Sequence, residues 1–130
     1  MRKLTIVMAL SLILVVGLSA GIAAQDVKIG LAVSTLNNPF FVDLKDGAEA
    51  KAEEMGVEIL TVDAQDDAAS QLSSVEDLLI KQIDVLVVNP VDGNAVVSAI
   101  TAANDAGVPV ITVDRAAEGG DVVSHIASDN

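Results

Sequence analysis

The sequence has no cysteine, tryptophan or tyrosine, one histidine, two phenylalanines and few basic residues. Each shortage removes a class of function. Without cysteine there is no disulfide framework, no thiolate metal site and no cysteine nucleophile. A lone imidazole, His125, has no second His or Cys with which to share a metal, so neither a metal nor a cofactor is expected. Seven Lys and Arg against nineteen Asp and Glu give a formal net charge of −12. A chain that acidic repels phosphate backbones, and no nucleic-acid partner is expected. The two aromatic residues, Phe40 and Phe41, are adjacent, so the core must be aliphatic and the pair needs its own explanation. Hydrophobic residues make up 52% of the chain and charged ones 20%, which excludes a disordered polyelectrolyte. A length of 130 residues allows at most one domain.

Met1-Arg2-Lys3 is a short basic start, and no charged residue follows from Leu4 to Ala24. The most apolar part, Ile6 to Leu18, leads into the small-residue stretch Ser19-Ala20-Gly21-Ile22-Ala23-Ala24. This order is that of a secretory signal peptide, expected over residues 1–24, with cleavage after Ala23 or Ala24. The alternative is an uncleaved anchor, since the uncharged stretch could span a bilayer core of about 30 Å. The short apolar part and its small-residue end favour cleavage. The mature chain, residues 25–130, is then exported, acidic and suited to a bacterial periplasm.

Beyond Gln25 two periodicities alternate. Val27–Ser34, Val57–Val62, Ile83–Val88, Val108–Val113 and Val122–Ala127 are strand-length aliphatic runs of the kind found in parallel sheets. Between the first four lie helical stripes: Phe41, Leu44, Ala48, Ala52 and Met55, stopped by Gly56; then Leu72, Val75 and Leu79; then Val96, Ala99 and Ala103, capped by Asp92 and stopped by Gly107. Strands that recur every ~25–30 residues with helices between them make βαβ units. The expected class is a doubly wound α/β fold with a mainly parallel sheet of about five strands and helices on both faces. Three helices cover two faces of such a sheet thinly. Either more polypeptide belongs after Asn130, or another surface covers the gap.

In open α/β sheets, ligands sit outside the carboxyl ends of the strands. The loops there lack enzymatic signatures. Ser34-Thr35-Leu36-Asn37-Asn38-Pro39 has no glycine to cradle a pyrophosphate. No G-x-S-x-G elbow occurs, and His125 falls inside the last strand, where a structural role suits it best. The acidic pair and aspartate of a phospho-acceptor domain are replaced by Thr35-Leu36 and Asn89-Pro90. Asp63, Gln65, Asp66 and Asp67 read as a solvated turn with an N-cap, since calcium would want more oxygens in a fixed register. No enzymatic activity is expected.

Asn37-Asn38-Pro39-Phe40-Phe41 is the positive signal. Asn38 can cap the first helix, with Pro39 in its first turn. Successive helical residues lie about 100° apart, so Phe41 joins the apolar stripe and Phe40 is left to point toward the strand ends. An aromatic face beside amides suits a sugar, although both rings could simply plug the top of the sheet. Asp114-Arg115, after the fourth strand, offers an acceptor and a rigid fork of donors for vicinal hydroxyls, or else a salt bridge that closes the loop. Asn89-Pro90 is a turn first and a possible site wall second.

These strings are Val33-Ser34-Thr35-Leu36-Asn37-Asn38-Pro39-Phe40-Phe41, Asn89-Pro90, Val113-Asp114-Arg115 and Ser124-His125-Ile126-Ala127-Ser128-Asp129-Asn130. Together they resemble the ribose-binding branch of the periplasmic sugar-binding proteins of ABC importers. Related repressor effector domains carry a DNA-reading segment at their N-terminus, where this chain has a signal-like stretch. The resemblance implies the first lobe of a type I periplasmic binding fold. It implies that Asn38 bonds a sugar hydroxyl, that Phe40 and Phe41 pack on the pyranose ring, and that Asp114 and Arg115 bind further hydroxyls. The implied ligand is ribose or a similar monosaccharide, and the implied partner is an inner-membrane permease. Family members have a second lobe that completes the pocket. A single lobe is expected to hold a half-site that binds sugar weakly or undetectably, unless the chain is instead an interaction module that self-associates through its uncovered sheet face.

Overall fold

Each strand that follows a helix must choose a side of the one before it, and that choice decides which sheet face each helix covers. The computed structural model describes residues 26–128. The expected signal peptide and the terminal Asp129-Asn130 lie outside them. In chain order the elements are β1 (Lys28–Val33), α1 (Pro39–Met55), β2 (Glu58–Asp63), α2 (Ala68–Ile80), β3 (Val85–Val88), α3 (Val97–Asp105), β4 (Val110–Val113) and β5 (Ser124–Ile126). All neighbouring strands are parallel, in the order β2-β1-β3-β4-β5. This is a doubly wound α/β sheet. Because β2 lies on one side of β1 and β3 on the other, right-handed crossovers send α1 and α2 to opposite faces. The next crossover continues in the direction of α2, and α3 packs beside it.

The α2–α3 face holds the main core. Ala32, Leu86, Val88 and Val110 from the sheet meet Val75 and Leu78 from α2 and Ala99, Ile100 and Ala103 from α3, with Val96 just before it, all essentially buried. Full burial of one such leucine or isoleucine contributes about 1.5–3 kcal/mol. The end of α2 and its connection to β3 come so close to β1 that a Cβ at Gly30 would lie 2.7 Å from Ile83 Cδ1 and 3.0 Å from Leu78 Cδ1. Any side chain there would have to displace Ile83 and Leu78. On the opposite face α1 buries Leu31 and Val33 with Phe41 and Ala52. Thr61 Oγ1 donates to Glu49 Oε1 at 2.8 Å, which ties α1 to β2, and Lys45 Nζ holds the same carboxylate from within α1, donating to Oε2 at 3.1 Å. Among the described residues no helix reaches β3 and β4 on this side, and Val85, Val87, Ile111 and Val113 are only half-buried.

Some expectations shift by a turn. Met55 is 64% exposed in the last turn of α1, which Gly56 ends at φ 69°. The buried face of α2 runs through Gln71, Val75 and Leu78, while Leu72 and Leu79 are half-buried. Helix α3 starts at Val97, and Asp92 instead caps the turn before it, with Oδ1 accepting from Asn94 N and Ala95 N, each at 2.9 Å. The crossover from β4 to β5 has no helix. It is pinned to α3 by Asn104, whose Nδ2 donates to Asp121 O at 3.0 Å while its Oδ1 accepts from Asp121 N at 2.9 Å. Strand β5 is three residues long and wholly exposed. His125 Nδ1 lies 2.9 Å from the Thr112 hydroxyl, a structural contact with β4.

Candidate functional site

The strand order reverses between β1 and β3, so the crevice at their carboxyl ends is where a doubly wound sheet receives a ligand. The chain after β1 turns at Ser34 and Thr35, which are 3% and 5% exposed. Thr35 Oγ1 accepts from Asn37 N at 3.1 Å. Asn38 then caps α1, its Oδ1 accepting from Phe40 N at 3.0 Å, with Pro39 in the first turn. The cap uses only the amide oxygen. The Asn38 Nδ2 group has no partner among the described residues and can donate outward. Phe41 is 8% exposed and Phe40 46%. The rings meet edge to face, with centroids 5.2 Å apart and planes at 76°, so the buried ring braces the open one.

Asp114 and Arg115 stand at the end of β4, on the same end of the sheet. Asp114 has φ 66°, and Arg115 N donates to Val113 O at 2.8 Å across it. That is a γ-turn of the rarer, strained hand. It is anchored by Asp114 N donating to Ile126 O at 2.7 Å. Asp114 and Arg115 do not pair with each other. Arg115 Nη1 instead donates to the Pro90 carbonyl at 2.8 Å and also to that of Val91. Its Nε and Nη2 donors are left without a partner among the described residues. The Asp92 carboxyl is held below its usual value by the Ala95 and Asn94 N–H groups, with a further contribution from the Arg115 charge.

Asn89 lies beneath this surface rather than on its wall. It is 1% exposed, and its side chain is fully occupied. Oδ1 accepts from Ser34 N at 3.1 Å and from Ser34 Oγ at 2.5 Å. Nδ2 donates to Val113 O at 3.0 Å and approaches Asp114 Oδ2 at 3.5 Å. One amide thus ties the ends of β1, β3 and β4 together. Gln71, which the sequence reading missed, is 2% exposed and bonds the same turn from α2: Nε2 donates to Asn89 O at 2.9 Å, and Oε1 accepts from Val91 N at 3.0 Å. Its signal was present, since a polar residue four positions before Val75 falls on the buried stripe.

The acidic turn after β2 behaves as a turn and a cap. Asp63 Oδ1 accepts from Gln65 N at 2.8 Å, and Asp67 Oδ1 accepts from Ser70 N at 2.6 Å. Gln65 and Asp66 take positive φ there. Among the described residues no group of three His, Cys, Asp or Glu is placed to hold a metal.

Residues 29–130 match the model of a periplasmic binding protein domain. The chain is 50% identical over 131 residues to the ribose import binding protein of Escherichia coli, covering all of this chain and 43% of that protein. It is 48% identical over 130 residues to the ribose import binding protein of Haemophilus influenzae, covering 44% of it. The chain therefore spans less than half the length of these curated relatives. Among solved structures, the Caulobacter myo-inositol binding protein bound to myo-inositol superposes with a TM-score of 0.75 at 30% identity, over 82% of this chain and 36% of that one. A periplasmic ribose ABC transporter protein of Conexibacter woesei gives 0.75 at 29% identity, over 79% and 35%.

Proposed function

The chain belongs to the periplasmic binding protein domain family, and from that membership we propose that it is the exported solute-binding component of an ABC sugar importer, carrying one lobe of a site for ribose or a similar monosaccharide. One observation supports this above the rest. The Asn38 amide, the exposed Phe40 face, the Asp114 carboxylate and the free Arg115 donors all lie at the carboxyl end of the sheet. A sugar ring presents C–H patches to an aromatic face and hydroxyls to amides, carboxylates and guanidinium, so this set matches its chemistry. Phe41 serves as the support of Phe40 and reaches the ligand only at its edge.

In this reading a second lobe supplies the other wall, and hinge closure over the sugar presents the surface an inner-membrane permease reads. Residues 1–24 direct export to the periplasm. One lobe alone forfeits half the polar contacts and most of the burial. That loss amounts to several kcal/mol, and each 1.4 kcal/mol is about tenfold in affinity. Calorimetry with D-ribose tests the proposal: heat is expected when a second lobe is supplied, and little or none from the chain by itself. Absence of heat in both cases would overturn it.

A second reading is favoured by the half-buried Val85, Val87, Ile111 and Val113 and by Ile126, which is 55% exposed beside Val113. It makes the chain an interaction module that pairs through the open sheet face. Concentration-dependent sedimentation supports that reading, and a monomer at all concentrations removes it.

A further inference from the structure

The guanidinium of Arg115 is not held by an acid. It is held by the carbonyls of Pro90 and Val91, and those carbonyls are as well placed as the turn that carries them. A peptide unit is planar, with its C=O and N–H on opposite edges. The unit that joins Pro90 to Val91 therefore offers two handles. Its carbonyl takes Arg115 Nη1 at 2.8 Å, and its N–H donates to Gln71 Oε1 at 3.0 Å. The preceding unit cannot help from its own nitrogen, since Pro90 has no N–H. Its carbonyl, that of Asn89, takes Gln71 Nε2 at 2.9 Å. One buried side chain from α2 thus grips the turn on both sides of Pro90.

We propose that Gln71 is a positioning residue of the site: by clamping the Asn89–Val91 turn it sets the plane of the Pro90–Val91 peptide and hence the direction of the Arg115 guanidinium. The proposal rests on the sugar-binding reading for its consequence, but its geometry stands apart from it. Asn89 completes the arrangement by tying Ser34 to the Val113–Asp114 turn, so that Asp114 and Arg115 are fixed from one seam. Without Gln71, Val91 N would lose its partner and Asn89 O would be buried without this one, and the turn would rotate to satisfy them.

Two variants separate positioning from folding. Gln71→Met fills the same space and removes both bonds. Gln71→Glu, read at a pH where the buried carboxyl is protonated, keeps the acceptor for Val91 N–H and replaces the amide donor to Asn89 O with an O–H. Guanidinium resonances of Arg115 are read by NMR in the full chain, with the amides of β1 and α1 as a control for the fold. Gln71→Met is expected to shift and broaden the Arg115 signals while the control amides stay in place, and Gln71→Glu is expected to restore them. D-ribose affinity, measured with a second lobe supplied, is expected to fall about tenfold in Gln71→Met and to stay within about threefold in Gln71→Glu. Unchanged Arg115 signals in a folded Gln71→Met protein would overturn the proposal. Should Gln71→Met unfold, unshifted Arg115 signals in Gln71→Leu, or failure of Gln71→Glu to keep the wild-type signals, would overturn it equally. Loss of ribose binding by the wild type, with the Arg115 shift still seen, would remove the sugar reading and leave the positioning role intact.

Discussion

Strand β3 has two environments one residue apart. Leu86 and Val88 are fully buried against α2 and α3, whereas Val85 and Val87 on the other face are half-buried. The backbone, the hydrogen bonding to β1 and β4 and the side-chain types are nearly the same on both sides. What differs is the helix overhead. The comparison teaches that in this sheet burial is conferred by crossover direction, which places two helices on one face and one on the other.

The sharpest test of that asymmetry is a pair of truncations in the same strand. Leu86→Ala is expected to destabilise by about 2–5 kcal/mol, the range for a core leucine that leaves a cavity. Val87→Ala is expected to change stability by about 1 kcal/mol or less, as for a site that water already reaches. Urea unfolding of both variants reads the difference, and equal losses would abolish the distinction between the faces.

A smaller contrast lies at the top of α1. Phe41→Ala should lower the melting temperature because the ring is buried, while Phe40→Ala should leave it nearly unchanged and act only on the ribose heat measured with a second lobe supplied. A Phe40→Ala protein that unfolds early would return that ring to the core.

The smallest effect expected is in acid and concerns the cap of α2. The Ser70 backbone N–H holds the Asp67 carboxyl below its usual value. The folded state therefore favours the charged form more than the unfolded chain does. The contribution is complete above the ordinary aspartate range and is lost as pH falls through the lowered folded value. Asp67→Asn keeps a capping oxygen and has no proton to gain, so its stability should fall less between neutral pH and pH 3 than that of the wild type. Parallel acid-unfolding curves for the two proteins would rule this out.

Much of the fold could be read from the sequence, because continuous aliphatic runs separated by capped helices leave few alternatives. The strands fall inside the expected runs, except that β2 extends one residue past its run to Asp63, and Gly56 and Asp67 end and begin helices where their chemistry suggests. The open face of β3 could not be read from the run Val85–Val88, since uniform apolarity carries no record of which side is covered. The outward Phe40 and inward Phe41 followed from helical spacing. The unpaired state of Asp114 and Arg115 did not, because the carbonyls that take the guanidinium belong to a turn 24 and 25 residues away. Gln71 was missed for a related reason. A polar residue on an apolar stripe declares that it needs a partner, and only the fold shows that the partner is the backbone around Pro90.

The turn at Asp114 bears on how this chain could evolve. A residue with a side chain held at φ 66° gives up about 1–3 kcal/mol that glycine would keep. Drift toward a sturdier protein therefore runs through glycine at 114, and that route discards a carboxylate from the mouth of the crevice. Under the proposed function, robustness and ligand grip are opposed at a single codon.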